Sequence, residues 1–216
     1  MMFITFEGPE GSGKSTQIQR VGAWVREQGR ECVVTKEPGG TAIGDRVRAI
    51  LLDSAHEGMD ATTELLLYAA SRRQHVVEVI KPARERGLPV LCDRYTDATL
   101  AYQGYGRLLD LDRLQTLNQW ATDGLKPDLT LLFDIDEATG LARAHARNAE
   151  MTVDEGRFEA EDLRFHRRVR EGYLAMAGAE PERFAVIDGA GSIDEVFERT
   201  VETLRVRAPA LSLSRA

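Results

Sequence analysis

Cysteine is scarce in this sequence, with two residues among 216. Cys32 and Cys92 both lie in short apolar runs, and their spacing is not that of metal ligands. Thiols in such positions are typical of a protein core in a reducing compartment. We therefore expect neither cysteine to take part in chemistry.

Long apolar runs are missing as well. Stretches such as Leu65–Ala70 and Leu129–Phe133 are far shorter than the roughly 18 residues that a membrane-spanning helix needs. The first residues lack the basic segment, apolar stretch and small-residue cleavage site of a secretory signal. These absences lead us to expect a cytoplasmic protein.

Positive charge is not in excess, because the formal net charge is -7. A broad electropositive surface for duplex DNA or an anionic membrane is therefore not expected. The sequence predicts no nucleic-acid partner and no membrane partner. Any anionic ligand has to be bound by a local group of donors.

Short apolar β-type runs alternate with longer helical patterns, which is typical of βαβ units around a parallel sheet. We expect an α/β fold with a five-stranded parallel sheet flanked by helices, in one domain over residues 1–207. Residues 208–216 are expected to form a flexible tail. The predicted strands are Phe3–Glu7, Glu31–Lys36, Pro89–Asp93, Asp128–Ile135 and Arg183–Asp188.

Helical patterns fill the intervals between these strands. Lys14–Gln28 and Thr62–Arg86 predict two helices that end at Gly29 and Gly87, and Pro82 is expected to bend the second. The remaining helices are expected at 43–53, 97–104, 110–123, 137–147, 160–177 and 192–207.

A glycine-rich segment follows the first predicted strand. Gly8-Pro-Glu-Gly-Ser-Gly-Lys-Ser15 matches the P-loop pattern G-x-x-x-x-G-K-[ST] in its required strand-to-helix position. Its backbone N–H groups and the start of the next helix suit phosphate binding. The fold class is thus predicted to be of the P-loop NTPase type. The predicted ATP-binding residues are Gly8, Pro9, Glu10, Gly11, Ser12, Gly13, Lys14, Ser15 and Thr16.

Two residue types in this segment suggest phosphoryl transfer. Lys14 is expected to reach the β- and γ-phosphates, and the Ser15 hydroxyl is expected to bind Mg²⁺. A second Mg²⁺ ligand is expected at a strand end, where Asp93 competes with Asp134 and Asp136. Asp93 is the preferred candidate, because Arg94 beside it offers a cation for phosphate.

Other classes of P-loop protein fit less well. A GTPase needs an Asn-Lys-x-Asp sequence, and neither Asn118 nor Asn148 is followed by Lys. Asp188-Gly-Ala-Gly191 matches a D-x-x-G pattern, but it lies too late in the chain for a γ-phosphate sensor. The chain is also short for a helicase or transporter ATPase. A small nucleotide kinase is favoured.

Four further motifs resemble those of bacterial thymidylate kinases in order and spacing. They are Lys36-Glu-Pro-Gly-Gly-Thr41, Ala70-Ser-Arg-Arg-Gln-His75, Asp93-Arg-Tyr95 and Ala101-Tyr-Gln-Gly104. The resemblance implies transfer of the γ-phosphate of ATP to dTMP, with Mg²⁺, and a homodimer. Another nucleoside or nucleoside-monophosphate kinase is the second reading, and a P-loop switch the third.

The resemblance also implies roles for individual residues. Glu10 would accept a hydrogen bond from the 3′-hydroxyl of the acceptor, and Tyr102 would crowd the sugar 2′ position. The base would stack on Tyr68 and meet hydrogen-bonding groups of Arg72, Thr99 and Gln103. The acceptor phosphate would lie near the Lys36 loop and two arginines, which implies roles for Glu37, Pro38, Arg48 and Arg94.

An arginine for the transferred phosphoryl group is expected from a mobile lid. The P-loop itself has Pro-Glu-Gly-Ser at positions 9–12 and no arginine, and residues 143–160 resemble the lid of the family. The candidates there are Arg143, Arg147 and Arg157, and the choice between the last two is left open. No general base is expected, because the acceptor is a phosphate monoester with a second pKa near ~6.

Overall fold

The structure is a computed structural model, and it describes residues 2–149 and 156–211. Five parallel strands form one sheet in the order β2-β3-β1-β4-β5. The predicted strands are all present, with ends shifted by up to two residues. They are β1 (Phe3–Glu7), β2 (Val33–Lys36), β3 (Val90–Asp93), β4 (Leu129–Asp134) and β5 (Phe184–Asp188).

Helices connect the strands and cover both faces of the sheet. The first five are α1 (Lys14–Glu27), α2 (Ala42–Leu52), α3 (Ala61–His75), α4 (Lys81–Glu85) and α5 (Thr96–Thr99). The others are α6 (Leu111–Thr122), α7 (Glu137–Asn148), α8 (Leu163–Ala179) and α9 (Ile193–Arg207). Short 3₁₀ segments occur at Ser54–His56 and Pro209–Leu211.

The predicted helix over 62–86 runs through a wider turn in its middle. A π-helical segment, Val76–Ile80, joins α3 to α4. Pro82 has no N–H, and its ring would crowd the carbonyl of Glu78 in a regular α-helix. The wider π turn accommodates the proline without ending the helix.

Strand order brings the two sequence motifs with phosphate chemistry together. β1 lies at the centre of the sheet between β3 and β4, and Phe6 pairs with Asp93. Because parallel strands end at the same edge, the loops after β1 and β3 are neighbours there. In open α/β sheets, ligands bind at this point where the strand order changes direction.

Of three apolar clusters among the described residues, two form layers on the sheet that share strand β4. One contains Ile18 and Val21 of α1 and Leu204 of α9. The other contains Leu51 and Leu52 of α2 and a set of aromatic side chains from α8 and its surroundings. Strand β4 serves both layers, since Leu131 and Phe133 face the first and Leu132 the second.

The end of α9 does not mark the end of the packed domain. Ala208 and Leu211 are each 1% exposed and belong to the first apolar layer. Residues 208–211 therefore correct the expected boundary of the flexible tail, and the rest of the predicted tail lies outside the described residues. Among the helices of the described chain, none has the length and apolar character to span a bilayer.

Candidate active site

A cleft of about 680 Å³ opens at the carboxyl ends of β1 and β3. It is lined by residues of the P-loop, of the Lys36 loop, of α3 and of the segment after β3. Most of the site residues predicted from the sequence therefore share one cavity. Those on its wall are Glu10, Lys14, Ser15, Glu37, Pro38, Arg48, Tyr68, Arg72, Asp93, Arg94, Thr99, Tyr102, Gln103 and Arg147.

The P-loop joins β1 to α1 and needs glycine for its shape. Gly8 and Gly11 have φ angles of 145° and 68°. A Cβ atom on Gly11 would lie 1.9 Å from the carbonyl oxygen of Gly140, so no other residue fits against α7. Gly13 precedes α1 without a side chain to cap it, which leaves the first-turn N–H groups suited to phosphate.

Lys14 is folded into this loop. Its Nζ donates to the carbonyl oxygen of Pro9 at 2.8 Å and to Ser12 Oγ at 3.3 Å. Burial and the positive charge of Arg94 lower the pKa of Lys14 to about 8. The ammonium group thus lies inside the loop that would surround the phosphates.

The two predicted Mg²⁺ ligands are adjacent. Ser15 Oγ donates to Asp93 Oδ2 at 2.5 Å. The competing strand end differs, because Asp134 is held by Arg170 at 2.7 and 2.9 Å and Asp136 caps α7. Hydroxyl and carboxylate oxygens are ligands that Mg²⁺ prefers. No group of three or more carboxylate, His or Cys side chains that could hold a metal occurs among the described residues.

Arg94 is the centre of a polar network between the P-loop and α8. Its NH2 donates to Glu10 at 2.6 Å and to the Tyr102 hydroxyl at 2.9 Å. Its NH1 donates to the carbonyl oxygen of Gly8 and to the Tyr173 hydroxyl, each at 3.2 Å. Arg94 has φ 68°, a strained angle for a residue other than glycine, which the network holds in place.

Glu10 is ionised in this network. Burial alone would raise its pKa, but the positive charges of Arg94 and Lys14 lower the pKa of Glu10 to about 2. The Tyr102 hydroxyl also donates to Glu10 Oε1 at 2.9 Å. An acidic side chain inside a phosphate loop is therefore compensated by its neighbours.

Two members of the network were missed by the sequence reasoning. The Tyr173 hydroxyl donates to Glu7 Oε2 at 2.7 Å, and the backbone N–H of Tyr95 donates to Glu7 Oε1 at 2.7 Å. Burial, with the negative charge of Asp97, raises the pKa of Glu7 to about 7. No pattern in the sequence links these residues, because Glu7 and Tyr173 are 166 positions apart.

Arg72 lies at the back of the cleft and is 1% exposed. Its Nε donates to Glu37 at 2.7 Å and its NH1 to Thr99 Oγ1 at 2.8 Å. NH1 also donates to Asn118 Oδ1 at 2.7 Å, and NH2 donates to the backbone oxygen of Tyr95 at 2.9 Å. Asn118 is a further residue that the sequence reasoning missed.

The loop after β2 is tied to α3 through Glu37. Its second oxygen, Oε1, is 2.8 Å from His75 Nδ1, and His75 Nε2 is 2.7 Å from Thr35 Oγ1. Since a carboxylate only accepts, Nδ1 carries a proton directed at Glu37. Arg48 in α2 donates to the carbonyl oxygen of Pro38 at 3.3 Å, which places its guanidinium on the same loop.

Aromatic rings cover the wall beyond Arg72. Tyr68 lines the cleft, with its ring 6.4 Å from that of Phe158. Tyr102 meets Phe158 edge to face at 5.5 Å. Phe158 was not predicted, and it adds an apolar surface beside the ring that the resemblance assigns to base stacking.

The three lid arginines have different surroundings. Arg147 lines the cleft, is 52% exposed and pairs with Glu159 at 2.9 Å. Arg143 donates to the carbonyl oxygens of Gly189 and Gly191, away from the cleft wall. Arg157 is buried, where it donates to the Leu51 carbonyl oxygen at 2.5 Å and to Glu64 at 2.6 Å. Residues 150–155, which belong to the lid predicted over 143–160, lie outside the described residues.

Comparison with known proteins gives one consistent result. The family model for "Thymidylate kinase" matches residues 6–200. The chain is 56% identical to the thymidylate kinase of Geobacter sulfurreducens over 96% of this chain and 98% of that one. It is 57% identical to the thymidylate kinase of Solidesulfovibrio magneticus over 91% and 95% of the two chains. A crystal structure of thymidylate kinase from Ehrlichia chaffeensis superposes with a TM-score of 0.76 at 34% identity, covering 95% of this chain and 97% of that one.

Proposed function

Because the chain belongs to the thymidylate kinase family, we propose that it transfers the γ-phosphate of ATP to dTMP, giving dTDP and ADP. One observation of the structure supports this proposal in addition to the family membership. A single cleft is lined by Lys14 and Ser15 of the P-loop and by Arg72 and Thr99, two of the residues expected to meet the base. Arg94 also lines this cleft, at the place where a donor phosphate and an acceptor phosphate would meet.

The donor phosphates would be bound by the P-loop. Its backbone N–H groups and the start of α1 offer fixed donors, and Lys14 would exchange its contacts with Pro9 and Ser12 for phosphate oxygens. Ser15 and Asp93 would hold a Mg²⁺ ion, which when bound neutralises charge on the phosphates. The backbone N–H donors of the loop are already in position before the reaction, so they require little reorganisation.

The acceptor would be aligned rather than activated. A phosphate monoester is already largely ionised at neutral pH, so no side chain has to remove a proton. Arg48 and Arg94 would bind this phosphate, and Nε is the guanidinium donor of Arg94 without a partner among the described residues. Glu10 would accept from the 3′-hydroxyl, and the base would stack on Tyr68. Catalysis would come from holding two anions in line.

The lid would complete the site on closure. Arg147 is the candidate from the lid that lines the cleft, and its side chain is half-exposed although its partner Glu159 is buried. Movement of this segment would bring a cation to the transferred group and exclude water. We also propose a homodimer in the cytoplasm, and light scattering coupled to size exclusion would measure the oligomeric state.

The decisive experiment is an acceptor panel with ATP and Mg²⁺. ADP release is measured with dTMP, dUMP, dCMP, dAMP and dGMP, against matched reactions without acceptor. We expect dTMP to be the best acceptor. Preference for another nucleotide would make the chain a different nucleotide kinase, and nucleotide binding without transfer would make it a P-loop binding protein.

A variant of the P-loop tests the donor side of the same proposal. Lys14→Ala should lower turnover with dTMP by at least about 100-fold, because it removes the cation that meets the transferred phosphate. Circular dichroism checks that the variant is folded. Undiminished transfer by folded Lys14→Ala would contradict the proposed mechanism.

A further inference from the structure

The carboxylate of Glu64, near the start of α3, is fully buried and heavily hydrogen-bonded. Gln103 Nε2 donates to Glu64 Oε1 at 2.7 Å, and Arg157 NH2 donates to Oε2 at 2.6 Å. Arg107 adds longer contacts at 3.3 and 3.4 Å. The two guanidinium groups balance a charge that would otherwise be unstable in the interior.

These contacts fix the orientation of the Gln103 amide. A carboxylate has no proton to donate, so the NH₂ group of Gln103 must face Glu64 and its carbonyl oxygen must face the other way. Gln103 lines the cleft, and no described residue donates to its Oε1. Glu64 therefore makes Gln103 present a hydrogen-bond acceptor to the cleft.

Arg72 and Thr99 add further hydrogen-bonding groups to the cleft that Gln103 lines. Arg72 can only donate, and Thr99 accepts from Arg72 at 2.8 Å, which leaves the Thr99 hydroxyl proton for another acceptor. Thymine and uracil offer the matching edge, with an N3–H donor between carbonyl oxygens. Cytosine reverses two of these groups, because its N3 accepts and its exocyclic amine donates.

We propose that Glu64 is a positioning residue that determines pyrimidine specificity by holding the Gln103 carbonyl toward the base. The inference rests on the proposed function, because it concerns how the same cleft recognises its acceptor. Arg107 and Arg157 keep Glu64 in place, and Arg107 also binds Glu161. The segment that follows the lid is thereby joined to the wall that contacts the base.

Two variants test the proposal, each with a defined effect. Glu64→Gln allows residue 64 to donate or accept, so the Gln103 amide is no longer held in one orientation. Gln103→Met keeps the length of the side chain and leaves Glu64 with both arginines, but removes the acceptor. A matched control is Glu161→Gln, which removes a carboxylate from Arg107 without contacting Gln103.

The readout is the ratio of kcat/KM for dTMP to kcat/KM for dCMP, with dUMP as a third acceptor. We expect this ratio to fall roughly ten-fold in Glu64→Gln and in Gln103→Met, the size of one lost hydrogen bond. The fall should come mainly from a lower kcat/KM for dTMP. The ratio of dTMP to dUMP should be unchanged, because both bases carry N3–H. Glu161→Gln should keep the wild-type ratios. In the double variant Glu64→Gln/Gln103→Met, the ratio of dTMP to dCMP should fall no further than in Gln103→Met alone.

The outcomes separate this inference from the proposed function. A wild-type enzyme that prefers dTMP, with a preference that survives both variants, overturns the role of Glu64 alone. Equal losses for dTMP and dCMP would show that Glu64 and Gln103 are merely structural, and would also overturn it. If Glu64→Gln does not fold, Glu64→Asp takes its place and is judged by the same ratios, because it keeps the negative charge and withdraws the carboxylate from Gln103. A wild-type protein that neither binds nor phosphorylates dTMP, as calorimetry would show, refutes the function and the inference together.

Discussion

Arg72 contributes to the fold as well as to the cleft. The resemblance to the family assigns it to the base, and the structure adds hydrogen bonds to Glu37, Thr99 and Asn118 around its buried guanidinium. Loss of this side chain would leave the Glu37 carboxylate without its arginine. A defect in an Arg72 variant would therefore combine lost recognition with lost structure.

We expect Arg72→Ala to lower the free energy of unfolding by about 3–5 kcal/mol, because it breaks a buried ion pair from one side. Urea denaturation measures the change. Arg73→Ala is the matched control, since the adjacent Arg73 forms an exposed ion pair with Asp123 and should cost less than about 1 kcal/mol. Equal stability of the two variants would argue that the Arg72 network contributes little to folding.

Glu7 gives the protein a specific pH dependence. The pKa of Glu7 rises from an ordinary 4.5 to about 7 on folding, so the folded state holds a proton that the unfolded chain has released between these values. The stability from this group is fully present below pH 4.5 and is lost as the pH rises through 7.

The variant Glu7→Gln should remove this dependence, because an amide does not titrate. From pH 4.5 to pH 7.5 the free energy of unfolding of the wild type should fall by roughly 2–3 kcal/mol relative to the variant. Chemical denaturation at several pH values gives both curves, and contributions from other groups cancel in the difference. Parallel curves would show that Glu7 does not change its proton affinity on folding.

At the scale of elements, the segment after α5 has an unusual shape with a consequence for the site. Leu100–Gly106 is π-helical, although the sequence predicts an ordinary helix over 97–104. The wider turn places the consecutive residues Tyr102 and Gln103 both on the cleft wall, one toward Glu10 and the other toward Glu64. Neighbouring side chains of a regular α-helix point about 100° apart. Local π turns, which change this spacing, are frequent at functional sites.

The lid arginines differ in what their removal should change. Arg147→Ala should lower kcat with dTMP by about 100-fold or more, while the free energy of unfolding falls by about 1–3 kcal/mol, because the arginine is half-exposed but its partner Glu159 is buried. Arg157→Ala should instead lower the free energy of unfolding by about 3–5 kcal/mol, since Glu64 would lose a buried partner. Steady-state kinetics and urea denaturation on both variants make the comparison. Loss of turnover in a stable Arg157→Ala, with a normal Arg147→Ala, would reverse the assignment.

At the scale of the whole molecule, the segment after α9 packs into the core. Leu211 packs in the layer that contains α1 and α9, although the sequence suggests a tail from residue 208. Leu211→Ala should lower the free energy of unfolding by about 2–4 kcal/mol through lost burial and a cavity. Val206→Ala, at a side chain that is 73% exposed, should change it by less than about 0.5 kcal/mol. Thermal or urea unfolding compares the two, and a Leu211→Ala protein as stable as the wild type would show that the packing of Leu211 contributes little to stability.

Some features of this protein could be predicted because they depend on residues that are adjacent in the chain. Glycines permit the backbone conformations that the P-loop needs between a strand and a helix. Eight consecutive residues are therefore enough to predict it. The alternation of apolar strands and helical patterns likewise specifies a parallel sheet. Parallel strands end at one edge, which brings both Asp93 and Asp134 near the P-loop, and Asp93 is preferred because Arg94 follows it in the sequence.

Other features were decided by packing between distant parts of the chain. The contacts of Glu7 with Tyr173, of Glu64 with Arg157 and of Arg72 with Asn118 span 166, 93 and 46 residues. The sequence offers many arginines at similar spacings, and no local pattern states which of them becomes buried beside a carboxylate. Burial sets that choice, because a charge removed from water must find a partner within hydrogen-bonding distance, and only the folded chain brings the partners together.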